Sequence, residues 1–329
     1  MRVAVVILNW NGKSFLEKFL PSVIEHSPEA TIYVADNASS DDSVAFLSST
    51  FPNVELILIE ENLGFAGGYN RALANLKEDF FVLLNSDVEV TPNWLSPLID
   101  LMDSDSKIAA CQPKILQYDR KTHFEYAGAA GGFIDKLGYP FCRGRIFDTL
   151  EEDTGQYNTV QEIFWATGAC LVFRSSVYRE LGGLDADFFA HMEEIDLCWR
   201  TKRAGYKIMA QPESVVYHVG GGTLSRSNPR KTFLNFRNGL ELLAKNLPSN
   251  QLALTIPLRL ILDGIAGMKF LLSGQIADFW AVIRAHFAFY GRLRQTLSKR
   301  SGNFANTVLY QRSIVVDYYL RGKKRFSEL

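Results

Sequence analysis

Cysteine is scarce in this chain of 329 residues, and no hydrophobic run is long enough to cross a bilayer. The cysteines are far apart and show no paired spacing, which excludes a disulfide framework and a cysteine-based zinc site. They are Cys111, Cys142, Cys170 and Cys198. Three of them lie in apolar runs, so we expect reduced, mostly buried thiols, as in a cytosolic protein. Internal repeats and low-complexity tracts are also missing, which excludes repeat architectures.

The N-terminal apolar run, residues 3–8, is shorter than the apolar core of a signal peptide. No small-residue cleavage site follows it, because the next residues are Asn9-Trp10-Asn11-Gly12. We therefore expect a buried first strand. The hydrophobic fraction of 47% and the charged fraction of 22% are ordinary for a folded globular protein.

The net charge of −1 hides a strong asymmetry along the chain. Residues 230–329 hold 16 Lys/Arg and 5 Asp/Glu, whereas the other residues hold 19 and 31. This split predicts a basic region that meets an anionic partner, either nucleic acid or a phospholipid surface. Since residues 252–290 are also rich in Leu, Ile, Phe and Ala, we predict a peripheral membrane contact through residues 252–325 and no nucleic-acid partner. A helical segment that covers the core or forms a homodimer is the alternative.

Apolar runs alternate with amphipathic stretches over the first hundred residues. Strands are predicted at 3–8, 31–35, 54–59 and 80–84, and helices at 14–24, after Ser39-Ser40-Asp41-Asp42, at 67–76 and at 92–102. This alternation predicts an α/β fold with a mostly parallel central sheet. Because ligands of such sheets bind beyond the carboxyl ends of the strands, the strand-end residues Asp36, Asn62 and Asp87 are expected to converge.

The later part of the chain is less regular. Residues 112–160 predict hairpins and loops, followed by a strand at 168–173, a helix at 193–203 and a strand pair at 207–210 and 215–218. The composition shifts after Pro229. We therefore predict an α/β catalytic domain at 1–229 and a basic, amphipathic helical region at 230–329.

The tripeptide Asn85-Ser86-Asp87 ends the fourth predicted strand. A carboxylate delivered to a sheet-end crevice suits Mg²⁺ or Mn²⁺, which bridge phosphate oxygens and need only one or two carboxylates. The alternative is a capped turn before Pro92.

Asp36 ends the second predicted strand and is followed by Asn37. Its carboxylate could accept hydrogen bonds from a base or ribose. The alternative is a helix N-cap, a role for which Ser39 or Ser40 is already available.

The glycine-rich stretch from Asn62 through Gly64, Gly67 and Asn70 to Arg71 is not a dinucleotide fingerprint, because its spacing is wrong and it follows the third strand. Glycines before a helix still let backbone N–H groups approach phosphates, and Arg71 adds a cation. A tight strand–helix junction is the alternative.

Three carboxylates cluster at the start of one predicted helix: Glu193, Glu194 and Asp196. Three carboxylates are more than the helix dipole requires, which favours a general base that points into the crevice. The alternative for Asp196 is a structural ion pair with Arg200, one turn later. His218 ends a strand before the glycines 220–222, which favour a loop with close backbone approach.

Taken in order, these stretches resemble glycosyltransferase family 2, and in particular its bacterial rhamnosyltransferase-like branch. The matching segments are 6–12, 34–41, 62–71, 84–87, 168–171, 188–200 and 218–223. The resemblance covers roughly residues 2–225, and the joint order is more specific than any single segment.

The resemblance implies the GT-A fold, a nucleotide-sugar donor, a glycan or lipid-linked acceptor, and inversion at the anomeric carbon. It implies that Asp36 contacts the base, that Asp87 and His218 bind the metal, and that Glu194 is the catalytic base. Trp165, Gly168 and Glu193 are expected at the acceptor and sugar pocket, on the cytoplasmic side of the membrane.

Two departures from the family pattern stand out. Asn85 occupies the position of the first acid of the metal motif, and Glu194 replaces the usual aspartate. Two other functions remain open. A sugar nucleotidyltransferase needs a basic glycine-rich loop after the first strand, where this chain has one lysine. A non-catalytic nucleotide-sugar-binding protein would not need all of the carboxylates at positions 36, 87, 193, 194 and 196.

Overall fold

The computed structural model describes residues 1–220, 228–301 and 309–329 as a central sheet flanked by helices, with a helical C-terminal region. The strands are β1 (Val3–Asn9), β2 (Ala30–Asn37), β3 (Glu55–Ile59), β4 (Phe80–Asn85), β5 (Val88–Val90), β6 (Ile108–Gln117), β7 (Gly132–Ile134), β8 (Pro140–Cys142), β9 (Arg145–Ile146), β10 (Thr149–Leu150), β11 (Gln161–Glu162), β12 (Cys170–Arg174) and β13 (Lys207–His218). The helices are α1 (Lys13–His26), α2 (Ser43–Thr50), α3 (Gly64–Leu73), α4 (Ser96–Ser104), α5 (Ser175–Glu180), α6 (Glu193–Arg203), α7 (Pro229–Asn246), α8 (Ser249–Leu272), α9 (Ile276–Ser298) and α10 (Ile314–Tyr319), and short 3-10 turns lie at Ala186–Phe188 and Phe326–Glu328.

The main sheet has the strand order β11-β13-β6-β12-β4-β1-β2-β3, and β5 pairs with β13. Strands β3, β2, β1 and β4 are parallel, as predicted, while β12, β5 and β11 add antiparallel pairs, so the whole sheet is mixed. The predicted α/β fold class is confirmed. A second, antiparallel sheet of β7 to β10 lies in the stretch where hairpins were expected.

The parallel strands are apolar on both faces because helices cover both sides of the sheet. In β1, Val5 and Ile7 pack into one hydrophobic cluster, and Ala4 and Val6 pack into the other. All four side chains are buried. The alternation follows the two-residue period of a strand, which turns successive side chains to opposite faces.

Strand register brings the polar strand ends together. Asn9 at the end of β1 pairs with Asp36 of β2, and its neighbour Leu8 pairs with Asn85 of β4. Since these strands run in the same direction, their carboxyl ends share one edge of the sheet, as the sequence predicted.

Several element boundaries differ from the prediction. Residues 207–218 form one strand with an irregularity between Gln211 and Val215, because the chain rejoins the same neighbour, β6, after a bulge. The buried strand β6 was not predicted at all. Helix α2 begins only at Ser43, so neither Ser39 nor Ser40 is its N-cap, and α3 begins at Gly64 rather than Gly67.

The four cysteines are free and buried, as expected. Many cations of the basic C-terminal region pair with the chain's own carboxylates. Lys245 lies 2.7 Å from Asp185 and 2.8 Å from Asp196, and Lys299 lies 2.5 Å from Asp185. The charge asymmetry of the sequence is therefore partly neutralised where the helical region packs on the α/β body.

Helix α8 has an unusual distribution of side chains. Its charged Arg259 and Asp263 are buried and paired at 2.8 Å, facing Tyr139, whereas its outward face is apolar. The exposed apolar side chains of α8 are Leu254, Leu258, Ile261, Ile265, Met268, Leu271 and Leu272. In the described part of the chain, no helix is both long and apolar enough to span a membrane.

Asp196 provides a test of how the helical region is attached. Its carboxylate is fully buried and accepts hydrogen bonds from Arg200, Lys245 and Asn246 at 2.8 Å each. Asp196→Ala removes the buried carboxylate that Arg200 and Lys245 share, while Lys245 keeps its contact with Asp185, so we expect a loss of about 3 kcal/mol in the free energy of unfolding. Urea denaturation followed by circular dichroism measures it.

Asp42→Ala is the matched control, since Asp42 pairs with Lys13 at 3.4 Å on the surface. We expect a loss of about 1 kcal/mol or less there. Equal losses in the two variants would contradict the structural role of Asp196.

Candidate active site

Asp36 is buried at the end of β2, and the protein already uses both of its carboxylate oxygens. Asn9 Nδ2 donates to Oδ1 at 3.0 Å, and the backbone N–H of Ser39 donates to Oδ2 at 2.9 Å. Asp36 is therefore less free for a ligand than the sequence suggested, although a carboxylate has further lone pairs to offer. The buried Asn9 Oδ1 has no hydrogen-bond partner among the described residues.

Asn37 and Asn62 form one contact beside Asp36. Asn37 Nδ2 donates to Asn62 Oδ1 at 3.2 Å and to the carbonyl of Gly64 at 3.0 Å. Asn37 Oδ1 accepts from the N–H of Leu63 at 3.1 Å. These amides fix the path of the chain from β3 into α3 next to the ends of β1 and β2.

The backbone N–H groups at the head of α3 are not open to a phosphate. The N–H groups of Phe65 and Ala66 donate to the carbonyl of Phe189, at 2.8 and 3.4 Å, and that of Gly64 donates to Asn62. Gly64 has φ = 71°, and a Cβ there would lie 2.6 Å from the carbonyl oxygen of Phe189. The alternative of a tight junction accounts for this glycine, while Gly67 approaches Leu63 in the same turn.

Asn70 and Arg71 differ in their surroundings. The amide of Asn70 donates to the carbonyl of Leu184 at 2.7 Å and accepts from Tyr178 and from the N–H of Leu184. It therefore holds α3 against the 178–184 segment. Arg71 is exposed, as a residue that meets a ligand needs to be.

Asn85, Asp87 and His218 meet where β4 and β13 end. His218 Nε2 lies 3.1 Å from Asp87 Oδ1 and 3.4 Å from Asn85 Nδ2, and its Nδ1 lies 3.2 Å from Glu125 Oε2. Ser86 approaches the same edge near Gly12. Of the glycines after His218, Gly220 is described, while Gly221 and Gly222 lie outside the described residues.

Opposite charges dominate this cluster. Burial alone would lower the pKa of His218, but the carboxylates of Asp87 and Glu125 outweigh it and raise that pKa to about 10. Burial alone would raise the pKa of Asp87, but His218 holds it below its usual range. The ring is thus held between two carboxylates, and a cation bound at Nε2 would displace the proton shared with Asp87.

The described residues contain no group of three or more His, Cys, Asp or Glu side chains arranged to hold a metal ion. Asp87 and His218 supply two adjacent ligands, which is enough for Mg²⁺ or Mn²⁺ when phosphate oxygens complete the coordination. Glu125 faces the other ring nitrogen, in the position of a carboxylate that orients a metal-bound histidine. The side chains therefore fit a metal shared with a diphosphate.

The turn before α6 is strained. Phe189, His191 and Met192 have φ of 66°, 69° and 74°, a region that side chains other than glycine rarely adopt. Asn238 of α7 stabilises it, because its Nδ2 lies 3.0, 2.9 and 2.7 Å from the carbonyls of Phe188, Ala190 and His191. This turn presents the acidic start of α6.

Glu193 and Glu194 carry buried Oε2 atoms with no hydrogen-bond partner among the described residues, and so does Nε2 of His191. Burial raises the pKa of Glu194 to about 7, and burial together with Glu194 raises the pKa of Glu193 well above its usual range. Burial lowers the pKa of His191 to about 4. Polar atoms left without partners at a strained turn are typical of a site that receives a ligand.

Trp165 and Gly168 are placed differently from the expectation that they line a sugar pocket. Trp165 is 4% exposed, its ring covers Gly132, and its Nε1 donates to the carbonyl of Phe133. The indole therefore belongs to the core. Gly168 faces the ring of Phe65, where a Cβ would lie 2.7 Å away.

Three residues at this site were not predicted from the sequence. Glu125 lies in a stretch predicted as loops, and Asn238 lies in the helical region without any motif. His191 could have been singled out, since it stands two residues before the acidic cluster.

Comparison with known proteins identifies the family. The family model of glycosyl transferase family 2 matches residues 4–182. An N-acetylglucosaminyl-diphospho-decaprenol L-rhamnosyltransferase of Mycobacterium tuberculosis is 28% identical over 65% of this chain and 75% of its own. A low-salt glycan biosynthesis hexosyltransferase, Agl10 of Haloferax volcanii, is 22% identical over 72% of this chain and 73% of its own.

Two solved structures share the fold. A mannosyltransferase of Pyrobaculum calidifontis, in complex with GDP-Man and Mn²⁺, has a TM-score of 0.54 and 17% identity over 91% of this chain and 83% of its own. GalNAc-T7 with UDP, GalNAc and Mn²⁺ has a TM-score of 0.59 and 17% identity over 76% of this chain, which spans about half (48%) of that protein. The resemblance drawn from the sequence is confirmed: the chain belongs to glycosyl transferase family 2 and is a glycosyltransferase that acts on nucleotide-sugar donors.

Proposed function

We propose that this protein transfers a sugar, with inversion, from a nucleotide-diphosphate donor to a hydroxyl of a glycan or lipid-linked acceptor in cell-surface polysaccharide synthesis. The observation that carries the proposal is the buried Oε2 of Glu194, which has no hydrogen-bond partner among the described residues, together with the raised pKa of that carboxyl at the start of α6. The donor is a dTDP-rhamnose or a UDP-sugar, in line with the rhamnosyltransferase relative.

Glu194 is the proposed general base. A carboxylate with a pKa near the working pH accepts a proton from the attacking hydroxyl more readily than an ordinary, more acidic one. One base without a second, nucleophilic carboxylate fits a single displacement. Glu193, buried beside it, is proposed to face the acceptor or donor sugar.

The donor is proposed to lie along the strand ends. Asp36, Asn37, Asn62 and Arg71 would contact the nucleotide, and Asn85 and Ser86 the diphosphate. Asp87 and His218 would hold Mn²⁺ or Mg²⁺, which supplies positive charge for the leaving diphosphate. Glu125 would keep the ring of His218 turned toward Asp87.

We further propose that the helical region contacts the cytoplasmic face of a membrane through residues 252–325. The support for this proposal is the outward face of α8. Among the exposed residues of this helix, Lys269 is the one that carries a charge, whereas Arg259 and Asp263 are buried and pair with each other. An apolar helix face with basic residues at its end suits an anionic lipid surface. A second copy of the chain is the other occupant to be tested.

Glu194→Gln removes the proposed base while keeping the shape of the side chain. We expect kcat to fall by about 10² to 10⁴, with the affinity for the nucleotide-sugar donor nearly unchanged. In the wild type, the base is protonated below its pKa of about 7, so kcat/KM should fall as the pH drops through that value.

Release of nucleoside diphosphate with an acceptor present measures turnover, and calorimetric titration measures donor binding. The exposed Glu213→Gln is the control and should keep full activity. Wild-type turnover in Glu194→Gln would overturn the assignment.

Asp87→Asn removes one of the two proposed metal ligands. We expect the affinity for Mn²⁺ in the presence of a nucleoside diphosphate to fall by about tenfold or more, since a carboxylate is lost from a site with few ligands. Electron paramagnetic resonance of free Mn²⁺ measures binding without reference to activity. Asp119→Asn, on the exposed turn after β6, should bind Mn²⁺ like the wild type, and equal binding by Asp87→Asn would rule Asp87 out.

Ile261→Asp with Ile265→Asp places two charges on the outward face of α8, where both side chains are more than 60% exposed. We expect the protein to stay folded and to lose sedimentation with vesicles of phosphatidylcholine and phosphatidylglycerol, because the charges oppose burial in the interface. The other outcome is a change from dimer to monomer in light scattering. If the variant shows that change and still binds vesicles as the wild type does, or if the wild type does not bind vesicles at all, the face is a homodimer interface.

A further inference from the structure

A cavity of about 540 Å³ lies between the β7–β8 hairpin and the C-terminal segment, away from the strand-end site. Its cationic lining residues are Lys136, Arg312, Arg321 and Lys323, and Gln311, Ser313 and Val316 complete the wall. No carboxylate belongs to this lining. The cavity took no part in the function proposed above.

The buried Asp135 fixes one side of this cavity. Its Oδ1 accepts from the N–H groups of Leu137 and Tyr139, at 2.9 and 2.8 Å, and its Oδ2 accepts from the N–H of Ile314 at 2.9 Å. The N–H of Lys136 donates to the carbonyl of Tyr310 at 3.0 Å. The hairpin turn with Lys136 and the segment with Arg312 are thus tied together through buried backbone bonds.

The buried Asp317 fixes the other side. Its carboxylate accepts from Tyr310 at 2.7 Å and from Arg321 at 2.8 Å, and its carbonyl accepts from the N–H of Lys323 at 2.9 Å. Asp317 balances one of the four cations. The cavity therefore holds an excess of positive charge on a framework that is already in place.

Cations that outnumber their carboxylate partners repel one another, and an anion relieves that repulsion. Guanidinium groups bind phosphate oxygens with two parallel hydrogen bonds, and the lysines add point charges. The hydroxyl of Ser313 and the amide of Gln311 offer neutral donors at the same wall. A phosphate or diphosphate group suits this set better than a single carboxylate, because it has more oxygens and more charge.

Apolar surface adjoins the cavity. Tyr319 and Leu320 follow Val316 on and just after α10 and are 50% and 80% exposed. Lys269 of α8 lies 5.4 Å above the ring of Tyr319, which brings the apolar outward face of α8 beside them. A ligand with a charged head and a hydrocarbon tail would meet both surfaces at once.

We propose that this cavity binds the phosphate or diphosphate head of a lipid, with the lipid chain along Tyr319, Leu320 and the outward face of α8. The inference rests on the proposed function, and it adds a recognition site to the membrane contact. The hairpin that carries Lys136 begins at Gly132, which pairs with Trp165. At about 3.3 Å per residue, Lys136 lies at most roughly 13 Å from that position. A lipid held in the cavity would therefore lie against the α/β domain that carries the strand-end site.

The test uses the full chain in EDTA, so that pyrophosphate does not bind with metal at Asp87. Sedimentation with phosphatidylcholine vesicles that contain phosphatidic acid, a phosphomonoester, is compared with vesicles that contain phosphatidylglycerol. Lys136→Gln with Lys323→Gln should weaken binding to the phosphatidic acid vesicles by roughly tenfold or more, since each lysine near an anionic surface contributes about 1 kcal/mol. Inorganic pyrophosphate should compete with these vesicles.

Lys77→Gln is the control, because Lys77 is exposed before β4, at the opposite edge of the sheet from the strand ends. It should bind both vesicle types like the wild type. Unchanged binding of phosphatidic acid by the double variant overturns the proposal. A third outcome is that pyrophosphate binding needs both lysines but the protein shows no preference for phosphatidic acid vesicles. That result also overturns the proposal of a lipid ligand, and the cavity is then a site for free phosphate.

Release of nucleoside diphosphate with a soluble acceptor separates this inference from the proposed function. The double variant should keep that activity, because neither lysine contacts the strand-end site. Loss of vesicle binding with retained turnover supports the cavity, whereas a wild type without turnover counts against the proposed function alone. Unchanged melting temperatures show that both variants are folded.

Discussion

The buried carboxylate of Asp196 joins the two parts of this molecule. It accepts hydrogen bonds from Arg200 of its own helix and from Lys245 and Asn246 of α7, so the first helix of the C-terminal region is fixed to the helix that carries Glu194. A buried carboxylate is tolerable only with such partners, and removing either side is costly. The helical region therefore helps to support the proposed active site.

The same attachment explains how a strained turn persists. Three residues before α6 adopt positive φ, at a cost of order 1–3 kcal/mol each, and the surrounding structure must supply that energy. Asn238 bonds to three carbonyls of the turn, and the carbonyl of Phe189 accepts from the head of α3. The result is that Glu194 is held with its Oε2 buried and without a hydrogen-bond partner among the described residues, and burial raises the pKa of this carboxyl.

Helix α8 and the cationic cavity share one principle of construction. In both, charged groups that hold the structure are turned inward and satisfied, as with Arg259 and Asp263 or with Asp135 and Asp317. What faces outward is an apolar helix face and a set of cations that outnumber their carboxylate partners. Exposing such a surface to water is unfavourable in free energy, and contact with a lipid surface would reduce that cost.

Strand periodicity and the order of the strand-end motifs determined the α/β class, the parallel strands β1 to β4 and the family, because these are local patterns read along the chain. They also pointed to Asp87, His218 and Glu194. Tertiary structure alone decided the rest. Strand β6 and the contact of Glu125 with His218 depend on pairing across more than 90 residues. The N–H groups at the head of α3, expected to be open, are taken by Phe189, and Trp165 is in the core. The inward orientation of Arg259 and Asp263 in α8 likewise depends on the neighbours that these side chains meet after folding, and no local sequence pattern specifies those neighbours.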